Sequence, residues 1–200
     1  GARVLPEHEK QTTYRYNSNN QVIEQTTPNG GTSLFWYDQA GRLILSQNAA
    51  QENTNKYSYT FYDAQSRIEE TGETTINEFS GSTWDTIHAQ IIVQQFNGVS
   101  ISLQDTLNNR PRTNVSKTFY DLAVLPNNTY GLVQENLRSR VATQAYYTSL
   151  DSGASLQNWD YASHYSYDAT GNVKTLLNDY SQNGTITNEF QRFKRLDYAF

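Results

Sequence analysis

The sequence predicts an all-β fold, an antiparallel spiral of β-hairpins with one short helix in a central insertion. Three observations lead to this prediction. A short aromatic pattern recurs four times, and each copy is followed at a fixed distance by a residue suited to a tight turn. The composition, with 13% aromatic and 18% charged residues, suits a polar sheet with two faces. A disordered chain would contain few aromatic residues.

In each of the four copies the last two residues are a tyrosine and then Asp or Asn. They are Tyr-Arg-Tyr-Asn at 14–17, Phe-Trp-Tyr-Asp at 35–38, Thr-Phe-Tyr-Asp at 60–63 and Tyr-Ser-Tyr-Asp at 165–168. Aromatic residues two positions apart, such as Phe35 and Tyr37, share one face of a strand. A unit of about 20 residues that recurs in this way is typical of an array, and arrays are usually scaffolds.

Each copy also predicts a turn between two strands. The side-chain oxygen of a residue such as Asp38 can accept a hydrogen bond from the backbone amide two residues on, which is an Asx turn. Three residues after the Asp or Asn stands a residue that can adopt the left-handed conformation. It is Asn20, Gly41, Ser66 or Gly171, and Ser66 suits that conformation least. The predicted structural repeat motif comprises Tyr16, Asn17, Tyr37, Asp38, Gly41, Arg42, Tyr62, Asp63, Arg67, Tyr167, Asp168 and Gly171.

The repeats divide the chain into three parts. We expect repeat hairpins in residues 1–73, an insertion in 74–131, and repeat hairpins again in 132–200, continuing beyond the chain. Residues 117–121 resemble a degenerate fifth repeat, although residues 122–124 break its turn pattern.

The insertion is predicted to contain the helix. The spacing of Trp84, Ile87 and Ile91, with Ser82 or Thr83 able to cap the start, predicts a helix over residues 84–96. The competing prediction is a strand over residues 89–93, where β-branched residues are frequent.

The sequence offers no motif for catalysis, cofactor binding or metal binding. His8, His88 and His164 are too far apart for a local metal motif, and no phosphate-binding glycine loop is present. Adjacent Glu69 and Glu70 on a strand would point to opposite faces, which is poor geometry for an acid–base pair. The Asp residues of the repeats could act as catalytic acids, but an active site needs one constellation rather than four similar ones. We therefore expect a protein that is not an enzyme and has no cofactor.

Composition narrows the possible partners. The absence of Cys excludes disulfides, zinc-thiolate sites and cysteine nucleophiles. A net charge of −5 without a basic cluster gives no footprint for nucleic acid. No apolar stretch approaches the ~20 residues that span a membrane.

Three functional hypotheses remain, and the first is a scaffold whose aromatic residues form ladders across the strands. The second is a binding module in which Trp36, Trp84 and Trp159 stack against sugars. The third, an enzyme, has the least support from the sequence. A scan of these aromatic residues for stability and for binding would separate the first two.

The best copy of the motif, Phe35-Trp36-Tyr37-Asp38-Gln39-Ala40-Gly41-Arg42-Leu43, resembles the YD repeat of the Rhs family. The resemblance extends over 10–72 and 132–198, where the chain is similar to Rhs-repeat proteins of Bacteroidetes-type bacteria, and it is weaker over 74–131. Residues 135–142 resemble a segment of the same proteins.

This resemblance implies a long β-sheet that spirals into a hollow shell, as in Rhs toxins, insecticidal toxin complexes and animal teneurins. In the toxins the shell encloses a C-terminal effector. The resemblance therefore implies a shell or scaffold segment of a large protein that is secreted or displayed on a bacterial cell surface. Its expected partners are the neighbouring repeats of the same polypeptide and an enclosed toxin or effector. The alternative is a cell-surface adhesion module that binds carbohydrate or protein.

Overall fold

The structure is a computed structural model that describes residues 10–88, 107, 109–126, 129–181 and 185–199. Its strands form an 11-stranded sheet, and the order of the strands in the sheet is their order in the chain. The pairs whose register is known are all antiparallel, as expected for consecutive hairpins. The predicted all-β class is confirmed.

The elements are short, as is usual for hairpin repeats. The strands are β1 Thr13–Tyr16, β2 Val22–Thr27, β3 Gly31–Tyr37, β4 Leu43–Gln47, β5 Lys56–Tyr62, β6 Ile68–Thr75, β7 Arg112–Tyr120, β8 Val141–Leu150, β9 Tyr161–Tyr167, β10 Val173–Asp179 and β11 Phe193–Asp197. The helices with known bounds are α1 Ala49–Glu52, a 3₁₀ turn Asn77–Phe79 and α2 Glu189–Arg192.

The chain forms two compact units. Among the described residues, the N-terminal unit comprises residues 10–59 and 75–88, and the C-terminal unit comprises residues 60–74 and those from 107 to 199.

The core of the N-terminal unit is aromatic. Trp36 of β3 is fully buried and lies opposite Leu45 of β4, which in turn lies opposite Tyr59 of β5. The ring of Tyr57 lies 6.0 Å from Trp36 and 5.7 Å from Phe79, the latter edge to face. Such contacts stabilise a core by about 0.5–1.5 kcal/mol each beyond the area that they bury.

A helical segment packs against this core. Residues 84–88 are helical, and the Oγ1 of Thr83 accepts a hydrogen bond of 3.3 Å from the amide of Thr86 at its start. Trp84 and Ile87 are buried, as the predicted periodicity requires. The rest of the predicted helix, residues 89–96, lies outside the described residues, and so does the competing strand over 89–93.

One apolar cluster of the C-terminal unit is formed by residues of β7 and β8, with residues before and within β9. It contains Val115, Ala145, Tyr147, Leu150, Trp159 and Ala162.

The C-terminal unit also buries charged side chains. Glu70 is 1% exposed, and its carboxylate forms salt bridges with Arg112 and, at 2.9 Å, with Lys117. Lys117 also reaches Glu69 at 3.3 Å. A buried charge without a partner is strongly destabilising, and these pairs between β6 and β7 give each buried charge a partner.

Candidate functional site

The repeat turns share one hydrogen-bond pattern. In the best copy, the amide of Asp38 donates to the carbonyl of Arg42 at 2.9 Å, and the amide of Gly41 donates back to the carbonyl of Asp38 at 3.0 Å. The Asp38 carboxylate accepts from the Arg42 amide at 2.9 Å through Oδ1 and from the Arg42 Nε at 2.7 Å through Oδ2. One side chain therefore closes the turn and holds the first residue after it.

The third copy repeats this geometry. Asp63 accepts from the Arg67 amide at 2.9 Å, from the Arg67 Nε at 2.6 Å and from the Gln65 amide at 2.9 Å. Desolvation raises the pKa of Asp63, but the hydrogen bonds from Arg67 and Gln65 outweigh it, so the pKa lies below its usual value.

The remaining two copies use amide side chains in place of Arg. Asp168 accepts from the Asn172 amide at 2.8 Å and from the Asn172 Nδ2 at 2.9 Å. Asn17 accepts from the Gln21 amide at 3.0 Å, and its own Nδ2 donates to the Gln21 side chain at 2.8 Å. Hydrogen bonds from Asn172 and Thr170 hold the pKa of Asp168 well below its usual range.

The third residue after each Asp or Asn has positive φ. The values are 59° at Asn20, 79° at Gly41, 63° at Ser66 and 102° at Gly171. Ser66 thus adopts the left-handed conformation although it carries a Cβ, which is strained for most residues other than Gly and Asn.

Tyrosine hydroxyls join three of the turns to the repeat beside them. Within the N-terminal unit, the Tyr37 hydroxyl donates to the carbonyl of Val22 at 2.8 Å. Within the C-terminal unit, Tyr120 donates to Ile68 at 3.0 Å and Tyr167 donates to Val141 at 2.8 Å. The acceptor is in every case the first residue of a strand that leaves a turn, namely β2, β6 or β8.

The residue immediately before each of these acceptors also contacts the neighbouring turn or the tyrosine that precedes it. The guanidinium of Arg67 lies 4.0 Å from the ring centroid of Tyr120, and that of Arg140 lies 5.3 Å from Tyr167. Gln21 instead donates to the carbonyl of Gly41 at 3.0 Å. We call this set of tyrosine, arginine and glutamine contacts the turn ladder. Cations over aromatic rings are attracted by the ring quadrupole.

The structure brings together a fifth turn from two distant segments. The amide of Asp121 donates to the carbonyl of Arg140 at 3.1 Å, and the Asp121 carboxylate accepts from the amide of Ser139 at 2.5 Å. Ser139 has a φ of 60°, like Ser66. Seventeen residues, 122–138, stand where the other turns have two, and we call them the turn insert.

Sequence reasoning recognised both halves of this turn but did not join them. Residues 117–121 resembled a degenerate repeat, and residues 135–142 resembled another part of the same family. The signal that could have joined them is Ser139-Arg140-Val141, which matches Ser66-Arg67-Ile68 in type and order.

The motif tyrosines differ in burial. Tyr16 is 54% exposed and Tyr167 is 9% exposed, whereas Tyr37 and Tyr62 are half-buried. The four turns therefore share backbone geometry, while the packing around the tyrosine varies from turn to turn.

The hypothesis that the three tryptophans stack against sugars is wrong. Trp36 and Trp159 are fully buried and Trp84 is 7% exposed, so none offers a ring face to a ligand. Their indole nitrogens are also engaged, because Trp36 Nε1 donates to the Trp84 carbonyl at 3.3 Å and Trp84 Nε1 donates to the Phe35 carbonyl at 2.7 Å. Trp159 Nε1 donates to the buried carboxylate of Asp179 at 2.9 Å.

The histidines are not assembled into a site in the described part of the chain. His164 is fully buried and its Nδ1 is 2.8 Å from the Oγ1 of Thr143. Burial lowers the pKa of His164 to about 4. His88 stacks on Trp84 at 4.5 Å, and His8 lies outside the described residues. Among the residues that the structure describes, no three His, Asp or Glu side chains are grouped so that they could hold a metal ion.

None of the helices in the described ranges is both long and apolar enough to cross a membrane.

The turns and the ladder define the class of fold, which is an antiparallel β-sheet built from hairpin repeats. Residues 16–52 match the family model of the RHS Repeat. The resemblance to the Rhs family is confirmed over these residues. No curated protein matches the chain.

Several solved structures are similar to the chain at low identity. The crystal structure of TcdB2-TccC3 without the hypervariable C-terminal region has a TM-score of 0.49 and 15% identity, covering 94% of this chain. The crystal structure of TcdB2-TccC3 has a TM-score of 0.48 and 14% identity, also covering 94%. A mutant Tc holotoxin pore of Photorhabdus luminescens has a TM-score of 0.42 and 13% identity, covering 86%. The chain spans 7% of the length of each of these proteins.

Proposed function

We propose that the chain is a segment of the wall of a hollow β-shell in a large bacterial RHS-repeat protein that is secreted or displayed on the cell surface. In this proposal the wall encloses a C-terminal effector or toxin and isolates it sterically from proteases. The observation that supports the proposal is the turn ladder, in which Tyr37, Tyr120 and Tyr167 each bind the backbone of the repeat beside them. A wall needs such bonds because a single hairpin cannot bury its apolar face alone.

The motif residues have structural roles in this proposal. Asp38 and Asp168 close turns, Gly41 supplies the left-handed conformation, and Arg67 joins one turn to the next. The partners are the neighbouring repeats of the same polypeptide and the enclosed effector. The role requires no catalytic residue, cofactor, metal ion, nucleic acid or membrane span.

We also propose that the wall has repeat hairpins in 1–73 and 132–200, with an insertion in 74–131 between them. The insertion contains the helical segment 84–88 and the first half of the fifth turn.

The test uses the full-length protein and measures how fast a protease cleaves the segment that follows the repeats. We expect slow cleavage in the wild type and at least about tenfold faster cleavage in Tyr167→Ala, because opening of the wall becomes easier. The matched control is Tyr146→Ala, since Tyr146 is 38% exposed and lies outside the ladder. If the wild-type segment is cleaved as fast as the same segment expressed alone, enclosure is wrong.

A further inference from the structure

Neighbouring hairpins diverge near their tips, which are the ends that carry the Asp or Asn turns. In the N-terminal unit, β2 and β3 are paired only from Thr27 to Glu24, and a cleft of about 220 Å³ lies beyond, between residues 17–21 and 37–39. In the C-terminal unit, β6 and β7 are paired up to Glu70, and a cleft of about 420 Å³ lies beyond, between residues 63–69 on one side and 118–120 with the first residues of the turn insert, 122–124, on the other. Divergence at the tips therefore recurs in the repeats.

The corresponding gap between β8 and β9 is occupied. Pairing of these strands ends at Thr143 and His164, and residues 134–137 of the turn insert contact both strands beyond that point. The amide of Tyr167 donates to the carbonyl of Glu135 at 3.1 Å, and the amide of Glu135 donates to the Oγ of Ser166 at 3.0 Å. The insert thus takes the place of a neighbouring strand for the last residues of β9.

One side chain of the insert binds both strands. Gln134 Nε2 donates to the carbonyl of Ala142 in β8 at 2.6 Å and to the carbonyl of Tyr165 in β9 at 3.1 Å. Asn136 Nδ2 donates to the carbonyl of Tyr167 at 2.9 Å. Amide side chains can bind backbone groups in this way wherever regular strand pairing stops.

Leucines of the insert fill apolar sites on the sheet. Leu132 is 2% exposed and packs with Leu177 and Phe193. Leu137 is 7% exposed and packs with Ala142 and Tyr167. Burying such side chains removes apolar surface from water and holds the insert against the strands.

We propose that residues 129–138 of the turn insert are a plug that closes the gap between two hairpin tips and that can leave the gap without opening the turn from which it arises. The contacts that close the turn are made by Asp121, Ser139 and Arg140, which all lie outside the plug. Arg140 also binds the plug, because its amide donates to the carbonyl of Leu137 at 2.9 Å and its Nη1 donates to the carbonyl of Asn136 at 2.6 Å. Departure of the plug breaks these two bonds and leaves the bonds of Asp121 with Ser139 and Arg140 in place. For its role, which is to seal an opening in the wall, this inference rests on the proposed function. The contacts that hold the plug in place all lie within the C-terminal unit and do not depend on the proposed function.

The first experiment loosens the plug by one buried side chain. In Leu132→Ser, we expect the Tyr167 amide to exchange hydrogen at least about tenfold faster than in the wild type, because its acceptor is the plug residue Glu135. The Asp168 amide, which donates to Asn172 within its own turn, should keep its exchange rate. The matched control is Val133→Ser, since Val133 is 47% exposed. Unchanged exchange at Tyr167 in Leu132→Ser would overturn the plug.

The second experiment replaces residues 122–138 by Gln-Ala, the two residues of the turn at 39–40. We expect this short-turn variant to fold and to keep protection of the Asp121 amide, while the Tyr167 amide loses protection. Loss of protection at Asp121, or failure of the variant to fold, would show that residues 120–141 are not a repeat with a removable insert. Both experiments use the 200-residue chain and are independent of enclosure. The outcome of the plug experiments does not change the interpretation of the protease test, which examines enclosure separately.

Discussion

The hydroxyl of Tyr167 donates a hydrogen bond of 2.8 Å to the backbone carbonyl of Val141. Tyr167 ends β9 and Val141 begins β8, so the bond joins two hairpins at the point where their strands have ceased to pair. The motif tyrosine therefore joins neighbouring repeats through a hydrogen bond of its hydroxyl, in addition to contributing apolar surface. The following predictions test this relationship and the turns that position it.

The motif tyrosines should differ in their contribution to the free energy of unfolding according to their burial. We expect Tyr167→Ala to lower the free energy of unfolding by about 2–4 kcal/mol, as for other large-to-small core changes. Tyr167→Phe, which removes only the hydroxyl, should cost about 1 kcal/mol. Tyr16→Ala should cost less than about 1 kcal/mol, because Tyr16 is 54% exposed. Urea denaturation of the three variants measures these differences.

A tyrosine scan also separates scaffold from binding site. In a scaffold, every variant that impairs function should also lower stability. A variant that loses function at an unchanged melting temperature would instead indicate a binding or catalytic site.

In the turn at 38–42, we expect a larger side chain to lower stability more at position 41 than at position 40. Gly41 has a φ of 79°, and an added Cβ would lie 3.2 Å from Nε2 of Gln21. We expect Gly41→Val to lower the free energy of unfolding by about 1–2 kcal/mol, because a β-branched residue is strained in the left-handed region. Ala40→Val, one residue earlier on the exposed tip, is the control. Equal melting temperatures for the two variants would contradict the turn assignment.

Arg67 should couple two repeats. Its Nη2 lies 2.7 Å from Asp121 and its Nε lies 2.6 Å from Asp63, while its guanidinium lies over Tyr120. We expect Arg67→Lys to lower the melting temperature, because Lys cannot reproduce the planar fork and its stacking. The double-mutant cycle of Arg67→Ala with Asp121→Ala should show a coupling that decreases as salt is added. Additivity of the two substitutions at low salt would show that the ion pair contributes nothing.

The stability of the C-terminal unit should fall in mild acid. Burial lowers the pKa of His164 to about 4, whereas an unfolded His titrates near 6.5, so the unfolded state binds the proton more tightly. The stability from neutral His164 is complete above about pH 6.5 and is lost as the pH falls towards 4. The total loss is on the order of 3 kcal/mol. Asp179 favours and Arg192 opposes protonation of His164.

The measurement is the free energy of unfolding between pH 5 and pH 7 for the wild type and for His164→Gln. We expect the slope with pH to be smaller in His164→Gln, since that side chain does not titrate. The carboxylates contribute mainly at lower pH, where the depressed pKa of Asp168 acts in the same direction. Identical slopes for the two proteins would show that His164 is not the group that titrates.

The sequence by itself determined the four motif turns at 17–21, 38–42, 63–67 and 168–172, because every atom that closes them lies within five residues. Asp38, Gly41 and Arg42 hold one another through bonds between near neighbours, so the order of residue types predicts the geometry. The alternation of aromatic residues likewise determined the all-β class, because strand periodicity is a local property.

Only the tertiary structure decided which distant groups meet. The bond from Asp121 to Arg140 crosses the insert, the tyrosine hydroxyls bind neighbouring repeats, and the tryptophans that could have faced ligands are buried. These outcomes depend on how hairpins pack against one another and on which apolar faces are covered. Residue order does not encode such long-range contacts locally, because the same motif can carry an exposed tyrosine at Tyr16 and a buried one at Tyr167.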